Sequence, residues 1–274
     1  MTTATDYTID ELISVCIARQ IHDGEVVAQG LATPLVAAGY ILAKLTHAPG
    51  LFFASAIGQG VCDDYAPLGV ATIESFWLDK AIATFGFGRV ATEILPTLAP
   101  KEFFRPAQVD SRGNFNNIAF GKDYAKPRMR LPGTGGIPDV STYATHTHLY
   151  VPRHSRITFT EPLDFISGLG HVPDRPHGTG PVYLVTDFGQ FDWANGRMRL
   201  TTLHPGVDLD TVRRKTGFTL DIAPDLSETE PPTVEEVHLL RHQIDPLGVR
   251  RLELLGGQSR KDALREILAA EGAL

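Results

Sequence analysis

Leu12, Ile13, Cys16, Ile17 and Ile21 recur at helical spacing behind Thr8, and Glu11 stands three residues after that threonine. Together they form a capping box followed by an amphipathic helix that ends near Gly24. Glu25 to Gln29 (EVVAQ) then predicts a strand. Gly30 follows, and Thr33-Pro34 opens a second helix over LVAAGYILAKL, because Thr caps well and Pro suits the first helical position. The run LFFASAIGQG (residues 51–60) reads as a buried strand entering a glycine loop. Helix, strand, glycine, helix, strand is the order of a parallel α/β sheet. Beyond residue 58 the pattern loosens into a Gly/Asp/Pro loop through Leu68-Gly69, with a helix expected at about residues 75–84.

From Glu102 the pattern changes. EFFRPAQVD and FNNIAFG predict two extended runs joined by the turn Ser111-Arg112-Gly113-Asn114. Further strands are predicted in YATHTHLYVP, RITFTEPLDFIS and PVYLVTDFG, and a hairpin about Asn195-Gly196. Helices return at 210–216, at 233–244 behind a second capping box, Thr233 with Glu236, and at 259–270. No repeat and no linker divides the chain, so residues 1–274 are expected to form one continuous α/β domain. The fold class is α/β, an open mostly parallel sheet with flanking helices and additional hairpins.

Composition narrows the partners. The 25 Lys+Arg against 32 Asp+Glu give a net charge of −7, which argues against a nucleic-acid or anionic-membrane surface. Lys44 interrupts the most apolar stretch well short of the ~18 residues of a membrane span, and the N-terminus lacks the layout of a signal peptide. Two cysteines, Cys16 and Cys62, make no disulfide framework, so a reducing cytoplasm is expected.

Few residues offer chemistry on their own. His146 and His148 share a strand face, as metal ligands can, but no third ligand stands at a telling distance and no metal is expected. His154, His171, His177 and His204 lie in Pro/Gly-flanked stretches that suit loop packing. Cys62 precedes Asp63-Asp64, whose charges would raise a thiol pKa. Lys122, Lys126, Arg128 and Arg130 form a basic cluster typical of a solvated surface. No serine-hydrolase elbow, phosphate loop or dinucleotide fingerprint occurs. Gly133-Thr134-Gly135-Gly136 remains, a loop whose bare amides could approach an anionic oxygen or a thioester carbonyl.

Three segments in order carry a resemblance: AQVDSRGNFNN (107–117), LPGTGG (131–136) and FISGLGH (165–171). With IARQIHDGEVVAQGLATPL (17–35), THAPGL (46–51) and the IDP motif at 244–246, the chain resembles the β subunit of class I CoA-transferases of the glutaconate type over nearly its whole length. The resemblance implies an open α/β fold and an α partner in an α2β2 hetero-oligomer. It also implies an acyl-CoA substrate that brings coenzyme A with it, no permanently bound cofactor, and a site where the subunits join. In active transferases a β-subunit glutamate attacks the thioester and carries CoA as a glutamyl thioester.

Aligned on Ala48-Pro49 and Gly58, that glutamate falls at Ala56, within Ser55-Ala56-Ile57-Gly58, so the nucleophile is absent. Asp64 and Glu74 are the downstream carboxylates that a slipped alignment would bring in. Two branches of the family lack the glutamate, one of decarboxylases with a cysteine at the position and one of hydrolases that open a carbon ring of a CoA-linked steroid product. The expected reaction is therefore C–C hydrolysis or decarboxylation of an acyl-CoA, with CoA transfer and a non-catalytic acyl-CoA-binding subunit as alternatives. The site implied is Ser55, Ala56 and Gly58, with Gln108, Asn116, Gly133, Gly135 and Gly136 against the substrate.

Overall fold

The computed structural model describes residues 2–30, 33–144, 147–175 and 177–274, apart from the side chain of Glu74. The chain falls into two compact units, Met1–Glu102 with Pro231–Leu274, and Phe103–Glu230.

In the first unit, α1 (Ile9–Ala18) opens on the predicted capping box, with the Thr8 N–H donating to the Glu11 carboxylate at 2.8 Å. Next come β1 (Val26–Ala28), α2 (Pro34–Thr46) with Pro34 in its first turn, β2 (Phe52–Ser55) and β3 (Gly60–Cys62). The chain continues through α3 (Glu74–Trp77), β4 (Ala81–Thr84), α4 (Phe87–Arg89), a π-helical turn (Val90–Ile94), α5 (Leu95–Leu98) and β5 (Lys101–Phe104). The helix expected at 75–84 is thus a single turn followed by a strand. Phe76 and Trp77 are buried, Phe76 edge-on to Phe53 with ring centroids 5.0 Å apart, while Ala81 to Thr84 alternate in burial and pair with β3. Helices α1 and α2 approach closely because position 39 is glycine: a Cβ there would stand 2.7 Å from Ile17.

In this unit β1 lies between β5 and β2, parallel to both, and β2, β3 and β4 follow as an antiparallel meander. Ala28 is in register with Ala54 on one side and Glu102 on the other. Side chains in register on parallel strands leave the sheet on the same face. Ala28 and Ala54 pack there with Val90 and Leu95.

The second unit continues from the end of β5. Its elements are β6 (Gln108–Val109), β7 (Phe115–Asn116), β8 (Ala119–Phe120), β9 (Met129–Arg130), α6 (Ile137–Tyr143) and β10 (Thr147–Val151), then β11 (Pro181–Thr186), β12 (Gly189–Ala194), β13 (Arg197–Leu203), α7 (Leu209–Lys215) and β14 (Asp221–Glu228). Phe103 and Phe104 pair with β10, which runs parallel to β11, and β12 and β13 turn back antiparallel before β14 aligns parallel with β13. Five of the nine pairings in these two series, among the described residues, are parallel. This is the open, mostly parallel sheet with added hairpins.

Asn195 and Gly196 both take positive φ, 53° and 72°, as a two-residue hairpin turn requires. The strand expected across 156–167 is absent; the segment makes a single bridge, Phe159 to Val109, and Gly168 just after it bridges Phe115. The core gathers Phe104, Val109, Phe115, Leu149, Phe159, Leu184, Phe191 and Leu200.

The chain then re-enters the first unit as α8 (Val234–Leu239), a π turn (Leu240–Ile244), a 3-10 turn (Val249–Glu253) and α9 (Gly257–Ala270). The second predicted capping box caps α8, with Glu236 N–H donating to Thr233 Oγ1 at 3.1 Å. The IDP motif serves the fold here. Asp245 accepts from the Val249 and Arg250 amides and pairs with the Arg250 guanidinium at 2.9 Å, while Arg250 also meets Asp10 and Glu11 at 2.8 and 3.0 Å, all of them buried. Burial of so many charges is tolerated because each carboxylate has a cationic partner.

Candidate active site

Strand β2 ends in a tight reversal. Ser55 faces Gly60 across the β2–β3 pair, Gln59 N–H donates to Ala56 O at 3.3 Å, and Gln59 takes φ of 54°. Ser55 is buried and its hydroxyl is committed twice, donating to Gln29 O and accepting from Gly58 N–H, each at 3.0 Å. Gly58 is glycine because Trp77 leaves no room: a Cβ there would lie 2.5 Å from the indole. Ala56 is partly buried against the Ala28–Ala54–Val90–Leu95 cluster, and Ile57 projects outward. The turn therefore brings Ser55, Ala56 and Gly58 together, and its side chains offer a committed hydroxyl, a methyl and an exposed aliphatic group.

Among the described residues, neither Asp64 nor Cys62 is set up as a nucleophile for this turn. Asp64 is at the surface with its carboxylate on Lys80 at 2.9 Å, and that hydrogen bond holds it below the usual carboxylate range. Cys62 is fully buried, and burial with the charge of Asp63 pushes its thiol up to about 11. Such a thiol is a poor nucleophile at neutral pH. The Glu74 side chain lies outside the described residues.

One carboxyl escaped the sequence reading. Glu102, on β5, shares a sheet face with Ala28 and Ala54, and its Oε1 lies 3.7 Å from where a Cβ of Gly30 would be. It is only partly accessible to solvent, and burial alone pushes its carboxyl up to about 7. A single glutamate at the head of EFF carries no local pattern that marks it; only the register exposes its place.

In the second unit Gln108 and Asn116 face each other across the β6–β7 hairpin, both buried. The Asn116 amide donates to Gln108 Oε1 at 2.7 Å and to Ala119 O at 2.8 Å, and its Oδ1 accepts from Ile118 N–H at 2.8 Å. Gln108 Oε1 also accepts from Asp164 N–H, and its Nε2 donates to Asp164 Oδ2 at 3.2 Å. Most of the hydrogen-bonding capacity of the pair is thus spent inside the protein.

The FISGLGH segment lies directly on this hairpin. Gly170 N–H donates to Asn114 Oδ1 at 2.8 Å, His171 N–H to Arg112 O at 2.8 Å, and a Cβ on Gly170 would stand 2.3 Å from Asn114 N. Gly133 and Gly135 sit apart from this network in an exposed loop, at φ of 111° and 52°, and a Cβ on either would have nothing within 4 Å; Gly136 precedes α6. Of the two strand histidines, His146 lies outside the described residues, and His148 is buried on β10 with its ring 4.9 Å from that of Phe103. Arg130 lies over Tyr124 at 4.5 Å within the exposed basic segment.

A family model described as Coenzyme A transferase matches residues 79–215. Over 260 residues the chain is 32% identical to the B subunit of 3-oxoadipate CoA-transferase from Pseudomonas knackmussii, covering 86% of this chain and 92% of that protein. The chain belongs to the coenzyme A transferase family. The chain also resembles the B subunit of glutaconate CoA-transferase from Acidaminococcus fermentans, 30% identical over 88% of this chain and 94% of that one, and the cholesterol ring-cleaving hydrolase IpdB subunit of Mycobacterium tuberculosis, 30% identical over 89% and 97%. Among solved structures the decarboxylase AibA/AibB superposes with a TM-score of 0.80 at 29% identity, over 92% of this chain and all of that one. Its variant with alanine in place of a cysteine superposes equally well, at 0.79.

Proposed function

We propose that this chain is the β subunit of a two-subunit enzyme that breaks a C–C bond of an acyl-CoA, by hydrolysis or decarboxylation, without a glutamyl-CoA intermediate. The observation that carries this reading is the β2–β3 turn, where Ala56 occupies the place that the family resemblance gives to the nucleophilic glutamate and the neighbouring Ser55 hydroxyl is committed. Covalent CoA transfer needs a carboxylate that can become a mixed anhydride with the acyl group and then a thioester with CoA, and an alanine methyl cannot. Relatives that the names place outside transferase chemistry, a ring-cleaving hydrolase subunit and a decarboxylase, fit this reading. Coenzyme A enters as part of the substrate, and an α subunit of the same family completes the site. In this reading Gly133, Gly135 and Gly136 would offer backbone amides to an oxygen of the substrate, while Gln108 and Asn116 brace the β6–β7 hairpin.

A second reading, CoA transfer, is favoured by the 32% identity to a 3-oxoadipate CoA-transferase subunit. Mass spectrometry of the CoA species separates the two. The complex with its α partner is given a panel of acyl-CoAs with and without acetate. Product that keeps CoA and has gained water or lost carbon dioxide is expected; acetyl-CoA would support transfer instead.

A further inference from the structure

Breaking a C–C bond beside a thioester leaves an electron-rich carbon that must be protonated, and the β2–β3 turn contains no acid. Glu102 lies on the same face. It is in register with Ala28, and Ala28 with Ala54, while Ala56, in the turn beyond β2, packs against the same Ala28–Ala54 cluster. The chain leaving β1 still runs beside β2 there, with Gln29 N–H donating to Ala54 O at 3.0 Å and Gln29 O accepting from Ser55 at 3.0 Å. Glu102 Oε1 lies 3.7 Å from a Gly30 Cβ position, so the carboxyl reaches from β5 over the end of β1, beside the cluster that Ala56 borders.

The surroundings are small and apolar: Ala28, Ala54 and Ala56 with Val90, Ile94, Leu95 and Leu98 of the covering segment. Charged groups of these elements point elsewhere. Arg89 and Glu93 pair with each other in solvent at 3.1 Å, and Lys101, next to Glu102 on the alternate face, holds Glu25 at 2.8 Å. Among the described residues nothing bonds to the Glu102 carboxyl.

We propose that Glu102 is the acid of this site, entering the reaction protonated and giving its proton to the carbon from which the C–C bond departs. The electron pair of the broken bond stays on the carbon conjugated with the thioester and takes the Glu102 proton. The other fragment leaves as carbon dioxide, or in hydrolysis takes the hydroxyl of a water as a carboxylic acid, and the proton of that or a second water restores the Glu102 carboxyl. This assignment rests on the reading of the reaction given above. The upward push of the carboxyl to about 7 keeps much of it protonated at neutral pH, as a general acid requires.

The test uses the complex with its α partner, wild type and Glu102→Gln, with co-purification and thermal unfolding to establish that the variant folds. Wild type should cleave with kcat falling above pH about 7, while Glu102→Gln should lose roughly 100-fold or more in kcat with little change in KM and lose that alkaline limb. Glu102→Asp should recover part of the rate. A folded Glu102→Gln complex that keeps both its rate and the alkaline limb overturns the assignment. CoA transfer by the wild-type complex overturns the reading of the reaction instead, and transfer that survives Glu102→Gln removes Glu102 from either chemistry.

Discussion

The β6–β7 hairpin with its FISGLGH cover and the β2–β3 turn are built from the same materials, glycines and short polar side chains against aromatic rings, but they spend them differently. In the hairpin nearly every polar atom of Gln108, Asn114 and Asn116 has a protein partner, and Gly170 lies against backbone. At the turn Ser55 commits its hydroxyl, while the Glu102 carboxyl two strands away is bonded to nothing among the described residues. The segments most recognisable in the sequence are thus the ones that packing constrains most tightly. The position where chemistry is expected is marked by a plain alanine.

The strongest challenge to this contrast is Gly170→Ala. Its new Cβ would meet backbone atoms at 2.3 and 2.4 Å, which cannot yield as a flexible side chain would, and a loss of about 3 kcal/mol or more is expected in urea unfolding. A loss under about 1 kcal/mol would show that the hairpin cover is not rigid.

Next comes Asn116→Ala, which strips partners from Gln108 Oε1, Ala119 O and the Ile118 amide inside the protein. About 2–3 kcal/mol should be lost. A smaller loss would mean that water reaches those groups.

A pH effect of roughly 3 kcal/mol is expected from Glu102. Its folded carboxyl titrates at about 7 against an ordinary 4.5, so between those values the folded chain holds more protons than the unfolded one. The stability it contributes is therefore full below pH 4.5 and is lost as pH rises through 7. Glu102→Gln removes the ionisation, so at pH 8 the variant should be more stable than wild type by roughly 3 kcal/mol, with the gain vanishing near pH 4. Equal stability of the two proteins at pH 8 would mean that the carboxyl is well solvated.

Much of the fold was legible because local chemistry set it. Both capping boxes start helices, Pro34 lies in the first turn of α2, and Asn195-Gly196 turns the β12–β13 hairpin. What escaped was set by distant partners. The sequence at 75–84 looks helical until β3 pairs with Ala81 to Thr84. The eight-residue β14, DIAPDLSE, contains a proline and mostly exposed residues, and it reads as a strand only because β13 accepts it across an irregular register. RITFTEPLDFIS has the composition of a strand but no neighbour to pair along. The sequence reading put the family glutamate's place at Ala56 but could not give that residue's surroundings: neither the commitment of the Ser55 hydroxyl nor the approach of Glu102 to Gly30 has any trace in residue order.

The proposal that this chain takes part in acyl-CoA chemistry without carrying CoA itself is tested most directly by the intact mass of the chain, measured after the complex is quenched with borohydride while turning over an acyl-CoA. An unchanged mass is expected. A chain reduced at a glutamate or aspartate, the product of a trapped carboxyl thioester, would contradict it.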